Sequence, residues 1–389
     1  MPSRLPTAAS LAIAAVLVAL LPLTGCTVAS PTSGASAPAA TAATSTEPAS
    51  TASPTASTPA SSAGSADTGP TRDVVTGLSV PWSIAILPGG AFLVSERDTA
   101  HVLRFGPDGT RTDLGQVPDV VPGGEGGLLG LAVRASEPSV LYAYATAARD
   151  NRVFAIPLSA NGLGTPRTLL TGIPKGPIHN GGRIAFGPDG YLYVGTGEGG
   201  QRQRAQDRSS LGGKILRIAT DGSPAPGNPD PGSPVWSLGH RNVEGFAWDA
   251  AGRMWASEFG QDTWDELNLI QPGANYGWPV VEGRAARAGF VDPVAQWAPA
   301  DASPSGLTIG PDGAVYLAAL RGESLWRVAV RADGTAHDPR RLLQGRYGRL
   351  RDVLTGPDGR LWVVSSNTFR GSPRPGDDRI VSLAPGDLG

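Results

Sequence analysis

The chain has 389 residues, of which 53 are Gly and 36 Pro, with only 17% charged and 40% hydrophobic; average usage would give about 27 Gly and 19 Pro. That excess means either disorder or many tight turns, and the two sources separate along the chain. A net charge of −2, from 32 basic and 34 acidic residues, leaves no electrostatic footprint for nucleic acid. No apolar run reaches the roughly 18 residues that a membrane helix needs.

The N-terminus carries Arg4, an apolar run from Leu11 to Leu21, and then Leu23-Thr24-Gly25-Cys26. The run suits the h-region of an export signal and is too short to cross a bilayer. The tetrapeptide has the form of a bacterial lipobox, so residues 1–25 are expected to be a lipoprotein signal and Cys26 the lipidated new N-terminus. Cys26 is the only cysteine in the chain and has no intramolecular disulfide partner. The expected location is the extracytoplasmic face of the membrane, held by lipid alone.

Residues 27–70 are almost wholly Ala, Ser, Thr, Pro and Gly, with Glu47 and Asp67 their only charges and Val28 their one large aliphatic residue. Such a segment cannot bury enough surface to offset its ordering entropy, and is expected to be a disordered tether. With Cys26 it makes up residues 26–70, and the folded domain is expected over 71–389.

From Thr71 onward one pattern recurs. Leu87-Pro88-Gly89-Gly90, Gly187-Pro188-Asp189-Gly190, Asp249-Ala250-Ala251-Gly252, Gly310-Pro311-Asp312-Gly313 and Gly356-Pro357-Asp358-Gly359 each precede an apolar or aromatic run such as Tyr191-Leu192-Tyr193-Val194. A weaker copy, Ser136-Glu137-Pro138-Ser139 before Val140-Leu141-Tyr142-Ala143, fills the gap after the first. Pro presets φ at a turn corner, Asp bonds its own backbone and Gly accepts positive φ, so each unit reads as a hairpin. Copies recur at about 46–61 residues, the length of a four-stranded propeller blade. Six copies predict an all-β, six-bladed β-propeller of four-stranded antiparallel blades. Its central channel opens on a concave site built from loops.

Between the turns lie Gly-rich polar segments: Gly123-Gly124-Glu125-Gly126-Gly127-Leu128-Leu129-Gly130, His179-Asn180-Gly181-Gly182-Arg183, Gly197-Glu198-Gly199-Gly200-Gln201-Arg202-Gln203, Gly239-His240-Arg241-Asn242, Glu258-Phe259-Gly260-Gln261, Asp265-Glu266-Leu267-Asn268 with Asn275-Tyr276-Gly277-Trp278-Pro279, and Gly348-Arg349-Leu350-Arg351-Asp352. Such loops bring bare backbone close to a ligand, and closely placed arginines suit a polyanionic one. The chain has no GxSxG, Walker or HExxH motif, and no βαβ setting for a dinucleotide.

In these segments, from Val80-Pro81-Trp82 to Arg351-Asp352-Val353, the chain resembles the soluble PQQ-dependent glucose/sorbosone dehydrogenases. The resemblance implies a six-bladed propeller enzyme that oxidises an aldose or related sugar by hydride transfer to PQQ. It implies His179 as general base, a task that suits a side chain with a pKa near neutral. It implies Arg241 as stabiliser of charge on the quinone oxygen, with Asn242 its hydrogen-bonding neighbour. Glu125, Gln203, Arg321, Arg349 and Arg351 correspond to cofactor contacts. Arg349 and Arg351, two apart, point to one face of an extended segment.

The resemblance also implies Ca²⁺, held by the main-chain carbonyls of Gly260 and Gln261, with a second, structural ion at Glu266 and the Tyr276 carbonyl; oxygen ligands of this kind suit the ion. Two positions depart from the family. Gln261 replaces the usual Pro, and Arg321 stands where Lys is common, in a chain with two lysines, Lys175 and Lys214. The expected partners are a small sugar and an extracytoplasmic electron acceptor. A propeller that binds carbohydrate or protein without catalysis is the alternative, since fold alone does not decide function. A metal-dependent lactonase on a similar propeller would want side-chain carboxylates around its metal, which the Arg-rich site disfavours.

Overall fold

The computed structural model describes residues 69–388. The expected signal, the lipobox cysteine Cys26 and all of the tether except Gly69 and Pro70 lie outside the described residues. Among them no helix is long and apolar enough to cross a membrane.

Six sheets of four antiparallel strands follow one another along the chain. Five blades are continuous segments, 81–116, 128–173, 184–238, 243–297 and 304–342. The sixth joins both ends of the domain: Arg72–Val75 pairs antiparallel with Ile380–Ser382, with Arg72 opposite Ser382 and Asp73 opposite Val381. Closing the ring with strands from both termini holds it shut by backbone hydrogen bonds as well as packing, and leaves no unpaired first or last blade.

The recurring turn joins the first and second strands of its blade. In the third blade Gly187 N–H donates to the Tyr191 carbonyl at 2.9 Å, and Gly190, at φ 78°, donates to the Gly187 carbonyl at 2.9 Å. Asp189 does more than form the turn. Its Oδ2 accepts from the Tyr193 hydroxyl at 2.9 Å and from Arg217 Nε at 2.9 Å, so one carboxylate ties the turn to two strands. Asp312 repeats this with Tyr316 and Arg327, at 3.1 and 2.8 Å. The second blade differs from expectation. Its strand already begins at Glu137, so Glu137-Pro138-Ser139 belongs to the strand Glu137–Thr146, with a register shift between Val133 and Arg134. Lacking the Gly and Asp of the other copies, that hairpin closes by a bulge.

Strand periodicity distributes the core. Leu192 and Val194 face the second blade, in a cluster with Tyr142 and Tyr144, while Tyr193 between them faces the fourth blade, with Phe246 and Met254. Alternate residues thus serve the two interfaces of each sheet. The buried apolar side chains form six clusters between neighbouring blades. Each fully buried Leu, Val or Phe there is worth about 1.5–3 kcal/mol. The first strand of each of the five continuous blades, and Leu350–Thr355 in the sixth, stands next to the ring axis, so the loops that enter those strands converge on one mouth of the channel.

Candidate active site

At that mouth lies a cleft of about 290 Å³, lined by His179, Arg241, Asn242, Glu125, Gly260, Gln261, Arg321, Arg349 and Arg351 among others. Nine of the twelve site residues expected within the domain therefore meet there, contributed by five different blades and their connections.

His179 sits in the loop entering the third blade at φ 56°, a left-handed conformation unusual for a residue with a side chain. The surroundings hold it there. Its N–H donates to Glu125 Oε2 at 2.8 Å and its carbonyl accepts from Gly199 N–H at 3.0 Å. A Cβ on Gly197 would come within 2.0 Å of that carbonyl, so only glycine fits beneath it. Asn180 is anchored by Asn151 Nδ2 at 3.1 Å on its side chain and by the Tyr144 hydroxyl at 2.7 Å on its carbonyl. The imidazole Nδ1 lies 2.6 Å from Oε1 of buried Glu198. A carboxylate partner calls for the proton on Nδ1 and leaves the lone pair on Nε2, the arrangement a general base requires.

Arg241 lies in the connection into the fourth blade. Its Nε and Nη2 donate to Gln261 Oε1 at 3.3 and 3.1 Å, and Nη1 donates to the Phe259 carbonyl at 3.2 Å. Burial lowers its pKa from the usual guanidinium value, opposed by Glu198 and Glu258. Its backbone N–H donates to Glu258, whose other oxygen lies 2.7 Å from His240 Nδ1; His240 is fully buried and serves that network. Asn242 lines the cleft, but its amide is engaged within the protein, accepting from Gly181 N–H at 2.9 Å and donating to Glu244 at 3.1 Å.

Five arginines and two glutamates line the cleft, a strong positive excess. The cations are not equivalent. Arg351 is buried, ion-paired to Glu244 and hydrogen-bonded to Ser305 Oγ at 3.1 Å, and its guanidinium stands over Trp82. Among the described residues Arg349 has no carboxylate partner. Burial, with Arg351 and Arg370 nearby, pulls its pKa down to about 10. The Nε atoms of both Arg349 and Arg351 are buried without a hydrogen-bond partner among the described residues. Arg321 is exposed at the rim. Unsatisfied buried guanidinium donors beside a net positive cleft are the environment a flat polycarboxylate such as PQQ needs, so the residues present fit that group.

Gly260 and Gln261 occupy a turn after the second strand of the fourth blade. Glu282 Oε1 accepts from the N–H groups of Gln261, Asp262, Thr263 and Trp264 at 2.7–3.2 Å, which fixes the turn and lowers the Glu282 pKa. With its amides turned to that carboxylate and its first two residues lining the cleft, the turn fits a calcium ion held by main-chain oxygens. Beneath it, Glu258, Glu266, Glu282 and Tyr276 surround a void of about 10 Å³. Burial, with Glu258 beside it, holds the Glu266 carboxyl well above the usual range. Its oxygens already accept from Gly283 N–H at 2.7 Å and Asn268 Nδ2 at 3.0 Å. Among the described residues no three His, Cys, Asp or Glu side chains stand in a metal-ligating cluster, so an ion there depends on carbonyl oxygens.

One expected contact is not brought to the cleft. Gln203 is exposed on a 3₁₀ helix, Arg202–Ala205, and does not line the cavity. Positive φ at Gly199 and Gly200 carries the chain outward, and buried Lys214 Nζ holds the carbonyls of Arg204 and Ala205 at 2.6 and 3.0 Å. Other residues of the site had no sequence signal of their own. Glu198 was one letter in a Gly-rich segment, and Glu244 and Arg370 stand in no motif. Arg370 pairs with Glu125 at 3.0 Å across the rim of the cleft.

The sequence matches the family Glucose / Sorbosone dehydrogenase over residues 78–371. An aldose sugar dehydrogenase of Escherichia coli is 30% identical over 344 residues, covering 76% of this chain and 91% of that one. Quinoprotein glucose dehydrogenase B of Acinetobacter calcoaceticus is 30% identical over 256 residues, 56% of this chain and 54% of that one. Among solved structures, the PQQ-bound form of an aldose sugar dehydrogenase from Streptomyces coelicolor is 53% identical with a TM-score of 0.77, covering 82% of this chain and 99% of that one. The turns, the ring of six blades and the cleft at its mouth thus agree with the sequence match: the chain belongs to the glucose/sorbosone dehydrogenase family of oxidoreductases.

Proposed function

We propose that this protein oxidises an aldose or a related sugar at its anomeric carbon, with PQQ in the cleft and Ca²⁺ on the carbonyls of Gly260 and Gln261. The observation that carries the reading is the pairing of His179 Nδ1 with Glu198, which leaves Nε2 free as a base in the same cleft as Arg241. PQQ binding by the Streptomyces coelicolor relative supports it.

The chemistry supplied by bound PQQ is acceptance of the hydride that leaves the anomeric carbon. The chain's own residues do the rest. His179 takes the hydroxyl proton at Nε2, and Glu198 balances the imidazolium charge at 2.6 Å. Arg241 keeps a fixed positive charge in a partly desolvated site, where it acts more strongly than in water. Arg349 and Arg321 would hold carboxylates of PQQ. Arg351, already paired to Glu244, presents its free Nε.

Cys26 is proposed to anchor the mature protein by lipid to the extracytoplasmic face of the membrane, where electrons pass to an acceptor outside the cytoplasm. The test of function is reconstitution with PQQ and Ca²⁺, followed by dye reduction across a panel of sugars. Sugar-dependent reduction is the expected result. Absence of PQQ binding at micromolar cofactor would instead favour a propeller that binds carbohydrate or protein without catalysis.

A further inference from the structure

All three guanidinium nitrogens of Arg241 end on one turn. Nε and Nη2 share Oε1 of Gln261, at 3.3 and 3.1 Å, and Nη1 reaches the Phe259 carbonyl at 3.2 Å. The Trp278 ring lies against the group, 5.5 Å from Cζ to the ring centroid. The turn itself is held by four backbone amides on Glu282 and by Gly260 N–H on Asp265 at 2.9 Å. The backbone that carries the Gln261 amide is therefore fixed.

The choice of an amide has an electrostatic consequence. The charges of Glu198, Glu258, Glu282 and Glu125 all act on Arg241, yet these carboxylates are held by His179, His240, backbone amides and Arg370, and the side chain that meets the guanidinium is an amide. A carboxylate in the place of that amide would pair with the guanidinium and neutralise it. A carboxamide oxygen accepts the same two N–H groups without cancelling the charge. We propose that Gln261, through its side chain, is a positioning residue. Its neutral carboxamide fixes the plane of Arg241 and leaves the full positive charge for the reacting centre. This rests on the reading that Arg241 stabilises negative charge during sugar oxidation. It assigns to Gln261 a role separate from that of its main-chain carbonyl.

Two variants separate position from charge. Gln261→Met removes the acceptor and keeps length and backbone. Gln261→Glu keeps the acceptor and adds a neutralising charge. Gln261 is only half-buried, and neither change empties a core site. The first measurement uses the cofactor-free full chain labelled with ¹⁵N-arginine, with Arg241→Lys identifying the Arg241 Nε–H signal. An ordered, slowly exchanging signal is expected in the wild type and in Gln261→Glu, with at least about tenfold faster solvent exchange in Gln261→Met. The second measurement is single-turnover reduction of bound PQQ at saturating sugar, beside a PQQ titration. Displacing a charge by about 1 Å can cost up to about 10²-fold in rate. Gln261→Met is therefore expected to lose about 10- to 100-fold in rate, with Kd for PQQ and KM within about threefold of the wild type. Gln261→Glu should lose rate despite its ordered signal.

Equal exchange in the wild type and Gln261→Met overturns the clamp. Faster exchange with an unchanged reduction rate overturns the positioning role. If the wild type binds no PQQ, the functional reading falls instead, and the exchange measurement alone decides whether Gln261 holds the arginine.

Discussion

Nδ1 of His179 and Oε1 of Glu198 lie 2.6 Å apart, although the loops that carry them enter and leave different strands of the third blade. The contact sets both the tautomer and the direction of the imidazole, and the backbone around it is equally determined: Glu198 N–H donates to the Arg241 carbonyl at 3.0 Å. Removing the carboxylate leaves a histidine of undefined tautomer. Glu198→Ala is expected to reduce the rate of sugar-dependent PQQ reduction by about 10²–10⁴, the range a general base contributes, with PQQ affinity little changed. Stopped-flow reduction beside a PQQ titration measures both. A rate near that of the wild type would remove Glu198 from the mechanism.

Arg349 and Arg351 differ in a way their spacing does not reveal. Arg351→Ala leaves Glu244 buried and unpaired, and breaking a buried pair from one side costs about 3–5 kcal/mol. Arg349 has no such partner among the described residues. Arg349→Ala is expected to keep the stability of the wild type and to weaken PQQ binding, with excess cofactor restoring part of the rate. Urea unfolding and PQQ titration of the two variants should therefore rank them in opposite order. Equal losses of stability would contradict the assignment.

Calcium should raise the melting temperature of the cofactor-free protein, because an ion bound only by the folded state stabilises it by mass action. Burial and the charges of Glu258 and Glu282 beside one small void disfavour ionised Glu266, and an ion held there by carbonyl oxygens would relieve that cost. Glu266→Ala is expected to abolish most of the calcium-dependent shift while changing PQQ affinity little. A melting temperature indifferent to chelator would exclude the second ion.

The turn aspartates are structural clamps. Asp189→Ala strands the Tyr193 hydroxyl and Arg217 Nε at the edge of the third blade, and each lost partner is expected to cost about 1–3 kcal/mol. Equilibrium urea unfolding should show a lower midpoint with an unchanged slope. A midpoint equal to that of the wild type would mean that water replaces the carboxylate at no cost.

Cys26→Ser is expected to move the protein from the membrane fraction to the soluble one without changing its melting temperature. Retention in the membrane would show that something other than a lipid holds it there.

The blade count was legible because it depends on local chemistry. Pro, Asp and Gly at a turn, followed by an apolar run, act within a few residues, and six repetitions at blade-like intervals leave little choice of architecture. The second blade shows the limit of that reading: without Gly and Asp its strand begins earlier, at Glu137, and bulges. The family resemblance carried by the Gly-rich loops singled out His179, Arg241, Arg349 and Arg351. What they do to one another was decided by closure of the ring. Glu244 neutralises Arg351 from 107 positions away, and Arg370 meets Glu125 across 245. The strand Arg72–Val75 completes a sheet whose other members begin at Leu350. A turn is encoded by its own residues, whereas a pair charge, a tautomer or an unsatisfied guanidinium exists only once six blades bring their loops to one axis. For that reason the sequence by itself determined the repeat and the residue types at the mouth, and the tertiary structure alone decided which arginine is already paired and which faces the cleft uncompensated.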